Sequence, residues 1–308
     1  MRIVFFGTPE FSVPFLKALD EDEDLIVSAV VCQPDKPIGR KKILTAPPTK
    51  QYALEHGIPV FQPVSLKDAG ALHTTPLRDA DLFVVVAYGK IIPQAILDIP
   101  THGTINVHPS LLPKYRGPSP MQAAIANQDN ETGVSIMLLD AKMDHGPILA
   151  QERIRLDRTE TYLDLQTKVH VVGAPLLVQT IKDFTSGMIE SIEQNHPTAT
   201  FCSLLSREDG EIDWNEPAEA IEAKLRAYTP WPGSWTMWDG KVLKIHAMTV
   251  GAEHAPPLRA GEHTIVNDRL FFGTASNPIE VLELQPEGKQ RMRTPDFLRG
   301  LQLTNSSS

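Results

Sequence analysis

The sequence predicts an α/β domain followed by a small β-barrel domain, and three patterns support this. Residues 2–32 form a strand, a helix and a second strand at the spacing of a βαβ unit. A helical apolar periodicity over 161–187 predicts the long helix that closes this first unit. After residue 206, short strand-like segments recur at regular spacing, as in small barrels. A chain of 308 residues is long enough for two such domains.

The first domain is predicted to span residues 1–190 around a sheet of apolar strands. Its first strand, 2–7, is followed by Thr8, Pro9 and Glu10, which predict a helix with Thr8 as its N-cap. The strand 25–32 is apolar enough to be covered on both faces. The other predicted elements are strands at 81–87, 103–107, 134–139 and 148–156, an edge segment at 58–63, and helices at 48–56, 91–97 and 120–126.

The second domain is predicted to span residues 207–308, after a linker at 191–206 where clear periodicity is lost. A helix is expected at 218–227, before the Pro230-Trp-Pro-Gly233 turn. The tail at 304–308 is expected to fray. Strand patterning follows at 235–238, 242–248, 263–266, 270–273 and 279–284.

The composition is that of an ordinary soluble globular protein, with 42% hydrophobic and 22% charged residues. No apolar run approaches the roughly 20 residues that span a bilayer. Cys32 and Cys202 lie far apart, and neither has a His or Cys at metal-binding spacing. These features predict a cytoplasmic protein with no membrane segment, no disulfide framework and no metal site.

The charge distribution combines overall acidity with one local basic segment. A net charge of −9 argues against indiscriminate binding of nucleic acid. Residues 36–50 nevertheless contain five cations and no acid, and glycine and prolines mark the segment as a loop. It is either a solvated loop or the footprint of a nucleic acid.

A dinucleotide site after the first strand is the first alternative to consider. Gly7 stands alone there, without the three-glycine turn that lets a pyrophosphate approach a helix N-terminus. Asp35, after the second strand, could imitate the acid that binds a ribose. The missing glycines argue against NAD.

Candidate catalytic residues lie at the end of the strand 103–107 and after the strand 134–139. Asn106 and His108 end the first of these strands, and Asp144 lies in the loop after the second. If the two strands are parallel neighbours joined by a crossover helix, their carboxyl ends emerge on one sheet edge. The three side chains would then converge where ligands bind in such sheets.

This group of side chains fits acyl transfer. A carboxylate holds an imidazole in one tautomer, and an imidazole with a carboxamide can donate two hydrogen bonds to a developing oxyanion. Ser110 lacks an adjacent base, so direct transfer to an amine is favoured over a covalent enzyme intermediate. The competing interpretation is that His108 is a capping or surface residue, as is expected of His145.

Several motifs together resemble the formyltransferases that use 10-formyltetrahydrofolate. The residues 106–117, Asn-Val-His-Pro-Ser-Leu-Leu-Pro-Lys-Tyr-Arg-Gly, followed by Asp144-His-Gly146, are similar to the signature of that family. Further matches are Phe6-Gly-Thr-Pro-Glu-Phe11, Gln33-Pro-Asp-Lys-Pro37, Val85-Val-Ala-Tyr-Gly89, Ile212-Asp-Trp214 and Arg226-Ala-Tyr-Thr-Pro-Trp-Pro232. The combination covers nearly the whole chain.

The resemblance implies a Rossmann-like formyltransferase domain followed by an OB-like barrel that helps to bind tRNA. It implies 10-formyltetrahydrofolate as co-substrate, methionyl initiator tRNA as acceptor, and a monomer. The implied catalytic residues are Asn106, His108 and Asp144. The implied folate-binding residues are Ser110, Leu111, Leu112 and Pro113, with Val86, Ala87, Tyr88, Gly89 and Asp140 bordering the pterin.

The basic segment would contact the tRNA acceptor stem through Arg40, Lys41 and Lys42. Lys41 stands where the family commonly has a second glycine, so the cationic character is kept while the loop shape differs. Other acceptors remain open, namely a glycinamide ribonucleotide, an amino-sugar nucleotide or water, as does a tRNA- or folate-binding protein without catalysis. The second domain favours tRNA over a small acceptor.

Overall fold

The computed structural model describes residues 1–39, 41–66, 77–252 and 255–305. The chain forms two compact units. Unit one comprises Met1–Pro120, Glu131–Arg155 and Gln166–Cys202, and unit two comprises Met121–Asn130, Leu156–Leu165 and Ser203–Ser308. The domain limits of 190 and 207, with a linker between them, stay a prediction.

Unit one is built on a mixed sheet with the strand order β5-β2-β1-β6-β7-β8-β9 in the described residues. The apolar strands β1 and β6 lie side by side and are buried almost throughout, as expected of parallel strands covered on both faces. The strands of unit one are β1 (Arg2–Gly7), β2 (Ile26–Val31), β3 (Lys36–Ile38), β4 (Ile43–Thr45), β5 (Val60–Phe61), β6 (Leu82–Val86), β7 (Thr104–His108), β8 (Glu131–Leu138) and β9 (Ile148–Arg155).

The direction of β8 was predicted wrongly. The strands β7 and β8 are antiparallel, with Ile105 opposite Leu138 and His108 opposite Ser135. The connection after β7 lies beside β8, where Leu112 N donates a hydrogen bond to Ser135 Oγ at 3.0 Å. The strand β8 therefore enters the sheet at the end where β7 leaves it, and β9 follows as an antiparallel hairpin partner.

The first helix begins later than predicted. A 3-10 turn, Glu10–Ser12, precedes the α-helix α1 (Val13–Asp20), and Thr8 caps neither of them. Instead, the hydroxyl of Thr8 donates to Tyr88 O at 3.0 Å, and that of Ser12 donates to Val86 O at 2.7 Å. Contacts with β6 and the turn after it thus override local capping. The following helices are α2 (Pro48–Glu55), α3 (Gln94–Leu97), α4 (Pro120–Ala126) and α5 (Tyr162–Thr185).

Between residues 203 and 305, the described part of unit two contains an antiparallel sheet and two α-helices. Its strands are β10 (Ser234–Trp238), β11 (Lys241–Val250), β12 (His263–Val266), β13 (Arg269–Phe272), β14 (Ile279–Pro286) and β15 (Met292–Arg293), in the order β10-β11-β14-β13-β12 with β15 beside β14. The helices α6 (Ala218–Tyr228) and α7 (Thr294–Asn305) pack on it. Trp214 stacks on Phe272 in the core, with ring centroids 4.4 Å apart. The predicted fold class is confirmed.

The end of the chain differs from the prediction. Sequence patterning did not indicate α7, which buries Phe297 and Leu298 against the sheet and runs to Asn305. Of the tail that was expected to fray, 306–308 lie outside the described residues. Within the described residues of the chain, no helix is both long and apolar enough to cross a membrane.

Candidate active site

The strand β7 presents Asn106 and His108 on one face of the sheet. Side chains two residues apart in a strand point to the same side, and all five residues of β7 are buried. The strands β1, β6 and β7 run parallel. Gly7, Val86 and His108 therefore end their strands at one edge of the sheet, where open α/β sheets bind ligands.

The imidazole of His108 is fixed by a backbone carbonyl. Its Nε2 lies 2.9 Å from Tyr115 O, and a carbonyl oxygen can only accept, so Nε2 carries the hydrogen. The other ring nitrogen, Nδ1, lies 3.6 Å from Asp144 Oδ1, which is too long for a hydrogen bond. The carbonyl of Tyr115 therefore sets the tautomer, whereas sequence reasoning gave that role to the carboxylate.

Asp144 reaches His108 although β8 runs in the opposite direction from the one predicted. The loop after β8 folds back and places Asp144 in the left-handed region, at φ +48°, which aspartate tolerates better than most residues. Its Oδ2 accepts a hydrogen bond from Gly117 N at 2.8 Å. The backbone turn 115–117 thus binds both side chains of the pair, the imidazole through its first residue and the carboxylate through its last.

Gly117 is required where it lies. Its φ is +115°, and a Cβ at this position would lie 2.2 Å from Cys202 O. The close approach comes from backbone pairing, because Cys202 N donates to Arg116 O at 2.8 Å and Arg116 N donates to Thr200 O at 2.8 Å. The turn that holds His108 and Asp144 is thus itself held by the segment 200–202.

Asn106 has a free carboxamide beside this pair. The residue is only 9% exposed, yet within the described residues its side chain has no protein hydrogen-bond partner. The carboxamide is not among the fully buried unpaired groups of the described residues, so it reaches solvent and is free to bind water or a ligand. The arrangement offers an amide N–H from Asn106 and, on a protonated His108, an Nδ1–H, both on one face of the sheet.

The segment 110–113, expected to contact a folate, is rigidly held against β8. Ser110 O accepts from Ser135 Oγ at 2.6 Å, and Leu112 O accepts from Gln151 Nε2 at 3.0 Å. Leu111 packs on Gly133, where a Cβ would lie 2.5 Å from Leu111 Cδ2. Ser110 and Leu112 are buried, while Leu111 and Pro113 are partly exposed.

The turn after β6, expected to border a pterin, alternates between buried and exposed residues. Val86 and Tyr88 are buried, and the ring of Tyr88 belongs to the core of unit one. Burial raises the pKa of Tyr88 to about 12. Ala87 and Gly89 are exposed, and both have positive φ angles, of +48° and +78°. Of these four residues, only Ala87 and Gly89 are exposed, so they are the ones that a ligand could reach.

Asp140 lies in the loop that carries Asp144. Its carboxylate accepts from Lys142 N at 2.8 Å and pairs with His145 Nδ1 at 2.7 Å. His145 is partly buried rather than a free surface residue, because its ring also stacks on His196 with centroids 4.0 Å apart. The expected pterin neighbour is thus engaged within its own loop.

The basic segment forms a two-stranded hairpin rather than an irregular loop. In it β3 pairs with β4, and Lys41 and Lys42 are exposed at its tip. Arg40 lies outside the described residues. Ile43 and Leu44 are also exposed, at 62% and 67%, so the hairpin presents cations and apolar side chains together.

The base of the hairpin is anchored by an ion pair. Lys50 Nζ lies 2.8 Å from Asp35 Oδ1 and also donates to Gln62 Oε1 at 2.8 Å. The amide of Gln62 donates to Asp35 Oδ1 at 2.7 Å. The Lys50 ammonium and the Gln62 amide hold the pKa of Asp35 below its usual range. Asp35 therefore anchors the hairpin and is not a free carboxylate that could bind a ribose.

Sequence reasoning overlooked Arg116 and Gln194. Arg116 belongs to the quoted motif but received no role, and Gln194 was assigned to the linker. Both are buried in unit one, at 4% and 5% exposure. Their burial was the missing signal, and sequence alone does not supply it.

Over the parts of the chain that are described, no group of three or more His, Cys, Asp or Glu side chains is placed to hold a metal ion.

Both parts of the chain match models of one protein family. The formyl transferase model matches residues 1–181, and the model of the formyl transferase C-terminal domain matches residues 204–302. The chain is 44% identical over 304 residues to the methionyl-tRNA formyltransferase of Roseiflexus sp. (strain RS-1), covering 99% of this chain and 94% of that protein. It is 41% identical over 309 residues to that of Myxococcus xanthus (strain DK1622), covering 99% and 97%.

Solved structures share the fold at lower identity. The N-formyltransferase from Helicobacter canadensis, in complex with folinic acid and dTDP-3-aminofucose, superposes with a TM-score of 0.66 at 18% identity, covering 92% of this chain and 98% of that one. HypX from Aquifex aeolicus, in complex with tetrahydrofolic acid, gives 0.63 at 15% identity, covering 97% and 47%. The family resemblance is confirmed, and this chain belongs to the formyl transferase family.

Proposed function

We propose that this protein transfers the formyl group of 10-formyltetrahydrofolate to the α-amine of methionyl initiator tRNA. The observation that carries the proposal is the unpaired carboxamide of Asn106 beside the His108–Asp144 pair at the end of β7. The relatives that share more than 40% identity over nearly the whole chain carry the name methionyl-tRNA formyltransferase, which supports this acceptor. Proteins of similar fold in complex with tetrahydrofolic acid or folinic acid support a folate donor.

The chemistry is direct acyl transfer to an amine. The neutral amine attacks the formyl carbon, a C–N bond forms, and the carbonyl oxygen becomes an oxyanion. Collapse of this tetrahedral species breaks the bond to N10 of the folate, and N10 takes up the proton that the amine loses. No covalent enzyme intermediate is needed, because Ser110 at this edge is buried and donates its hydroxyl to Lys114 O at 2.5 Å.

Asn106 and His108 stabilise the oxyanion. The carboxamide of Asn106 donates through its free N–H. His108 donates through Nδ1 in its protonated form, because its Nε2 hydrogen is already bound to Tyr115 O. The Asp144 carboxylate, with Oδ1 3.6 Å from Nδ1, takes part in proton transfer through water. Preorganised donors of this kind act without reorganisation during the reaction.

The remaining substrate contacts follow from the exposed surfaces. The held segment 110–113 and the exposed Ala87 and Gly89 offer a folate surface next to the three catalytic side chains. The hairpin β3–β4 offers Lys41 and Lys42 to phosphates of the acceptor stem.

Competition between acceptors tests the proposal. Purified protein is given 10-formyltetrahydrofolate with methionyl initiator tRNA, uncharged initiator tRNA, glycinamide ribonucleotide or a dTDP-amino sugar. Formylation of the methionyl-tRNA alone is the expected result. Formylation of the nucleotide sugar or of glycinamide ribonucleotide, with methionyl-tRNA left unmodified, would replace the acceptor named here. Folate binding without any transfer would leave only a binding protein.

A further inference from the structure

We propose that Arg116 and Gln194 are positioning residues that hold Asp144 against His108. Together they form a buried clamp between the turn after β7 and the loop after β8, named here the Arg116–Gln194 clamp. This inference rests on the proposed function, because it assigns the clamp a part in the same transfer reaction. Neither residue needs to touch a substrate.

Gln194 holds the backbone on the C-terminal side of Asp144. Its Nε2 donates to Asp144 O at 2.9 Å and to Gly146 O at 2.7 Å. Both amide hydrogens are therefore spent on the loop that carries the catalytic carboxylate. Asp144 has a backbone conformation in the left-handed region, which is unfavourable for residues other than glycine. These hydrogen bonds help to keep the loop in that conformation.

Arg116 fixes the other end of Gln194. The amide oxygen of Gln194 accepts from Arg116 Nε at 3.1 Å and from Arg116 Nη2 at 2.7 Å. Bonds with a charged donor are stronger than neutral ones, and they polarise the amide so that its own N–H groups donate better. The clamp therefore fixes the amide orientation, with its oxygen to the guanidinium and its nitrogen to the loop.

The guanidinium is not held by an acid. Arg116 is 4% exposed, and within the described residues it has no carboxylate partner. Its second side-chain acceptor is His196 Nδ1, at 2.9 Å from Nη2. Burying a cation without a counter-ion costs free energy of folding, so we expect the Arg116 guanidinium to have a role beside the active centre. Orientation of Gln194, and through it of Asp144, supplies one.

The clamp matters because the pair that it serves is loosely coupled. His108 Nδ1 and Asp144 Oδ1 are 3.6 Å apart, with no direct hydrogen bond to fix the distance. One carboxylate oxygen is bound, by Gly117 N. If the backbone of 144–146 moved, that single bond would have to hold the carboxylate alone, and misplacement by about 1 Å can cost about a hundredfold in rate.

Gln194→Glu tests the clamp with almost no change of shape. The carboxylate can still accept from Arg116 but cannot donate to Asp144 O or Gly146 O. We expect kcat to fall 10- to 100-fold, while KM for methionyl-tRNA and for folate changes less than about twofold. Gln179→Glu is the matched control, because Gln179 is exposed on α5 and its amide bonds only to Asp183 Oδ1. It should keep wild-type kinetics.

A double-mutant cycle separates positioning from general damage. In an Asp144→Asn background, Gln194→Glu should cause no further loss of kcat, because both changes act through the same carboxylate. Multiplicative losses would overturn the proposal, as would a wild-type kcat for Gln194→Glu. If Gln194→Glu does not fold, Arg116→Lys enters the same cycle. Crystal structures of the variants measure the His108–Asp144 distance whichever acceptor the enzyme uses. Inactivity of the wild type would instead count against the proposed function.

Discussion

Replacing Asn106 by alanine should abolish much of the activity while sparing the fold. The carboxamide makes no hydrogen bond to the described protein, so its removal leaves no partner unsatisfied. The backbone of residue 106 stays paired in register with Val85 and Met137 on the neighbouring strands. The free energy of unfolding should therefore fall by about 1 kcal/mol or less. The loss in catalysis is that of one oxyanion donor, about 10²–10³ in kcat, or about 3–4 kcal/mol.

Single-turnover formylation of methionyl-tRNA with saturating folate measures this loss at the chemical step. Asn106→Asp provides a sharper comparison, because a carboxylate of nearly the same shape cannot donate to an oxyanion and adds a negative charge near Asp144. It should be slower than Asn106→Ala. A near wild-type rate for the alanine variant would refute the assignment of Asn106 as an oxyanion donor. Urea unfolding of both variants excludes loss of structure as the cause.

Three further predictions concern the hairpin, its anchor and the sheet. Alanine at Lys41 and Lys42 should raise KM for tRNA. It should also make the fall of log affinity with log salt less steep, by about 1 to 2 in the slope measured by filter binding. Because the pKa of Asp35 is lowered in the folded protein, its carboxylate stabilises the fold above its unfolded pKa of 3.8, and this stability is lost as the pH falls through the folded pKa. Lys50→Met removes the ion pair and should therefore make the free energy of urea unfolding less sensitive to acid. A methyl group on Gly133 would lie 2.3 Å from a carbonyl oxygen of β9, and Gly133→Ala should cost about 1–3 kcal/mol in urea unfolding.

The sequence predicts the strands well, the parallel pairing of β1 with β2 and the β8–β9 hairpin included, but not the direction of β8 relative to β7. Continuous apolar runs mark β1 and β6 whatever their partners are, because a strand covered on both faces must be apolar along its length. Direction is decided by where the connecting chain goes, and Leu112 in that connection is bound by the hydroxyl of Ser135, in the middle of β8. No local pattern encodes that bond. The convergence of His108 with Asp144 was therefore predicted from an incorrect topology.

Local capping rules failed at Thr8 for a related reason. Thr8, Pro9 and Glu10 have the right chemistry for a helix start, yet the Thr8 hydroxyl bonds to Tyr88 O, 80 residues away. A long-range acceptor satisfied the side chain that the cap would have used. Asn106 and His108, in contrast, were correctly expected at the end of a strand, and their two-residue spacing puts both side chains on one face.

The turn 115–117 explains why one short motif can carry so much of the site. Tyr115 contributes its carbonyl to His108, Gly117 contributes its N–H to Asp144, and Arg116 between them orients Gln194. Three consecutive residues thus fix the tautomer of the imidazole, the position of one carboxylate oxygen and, through Gln194, the backbone of the Asp144 loop. Because β8 runs antiparallel to β7, the Asp144 loop must return along the sheet to reach this turn. The proposed catalytic pair comes from the ends of two antiparallel neighbouring strands, and the backbone of this turn holds both side chains together.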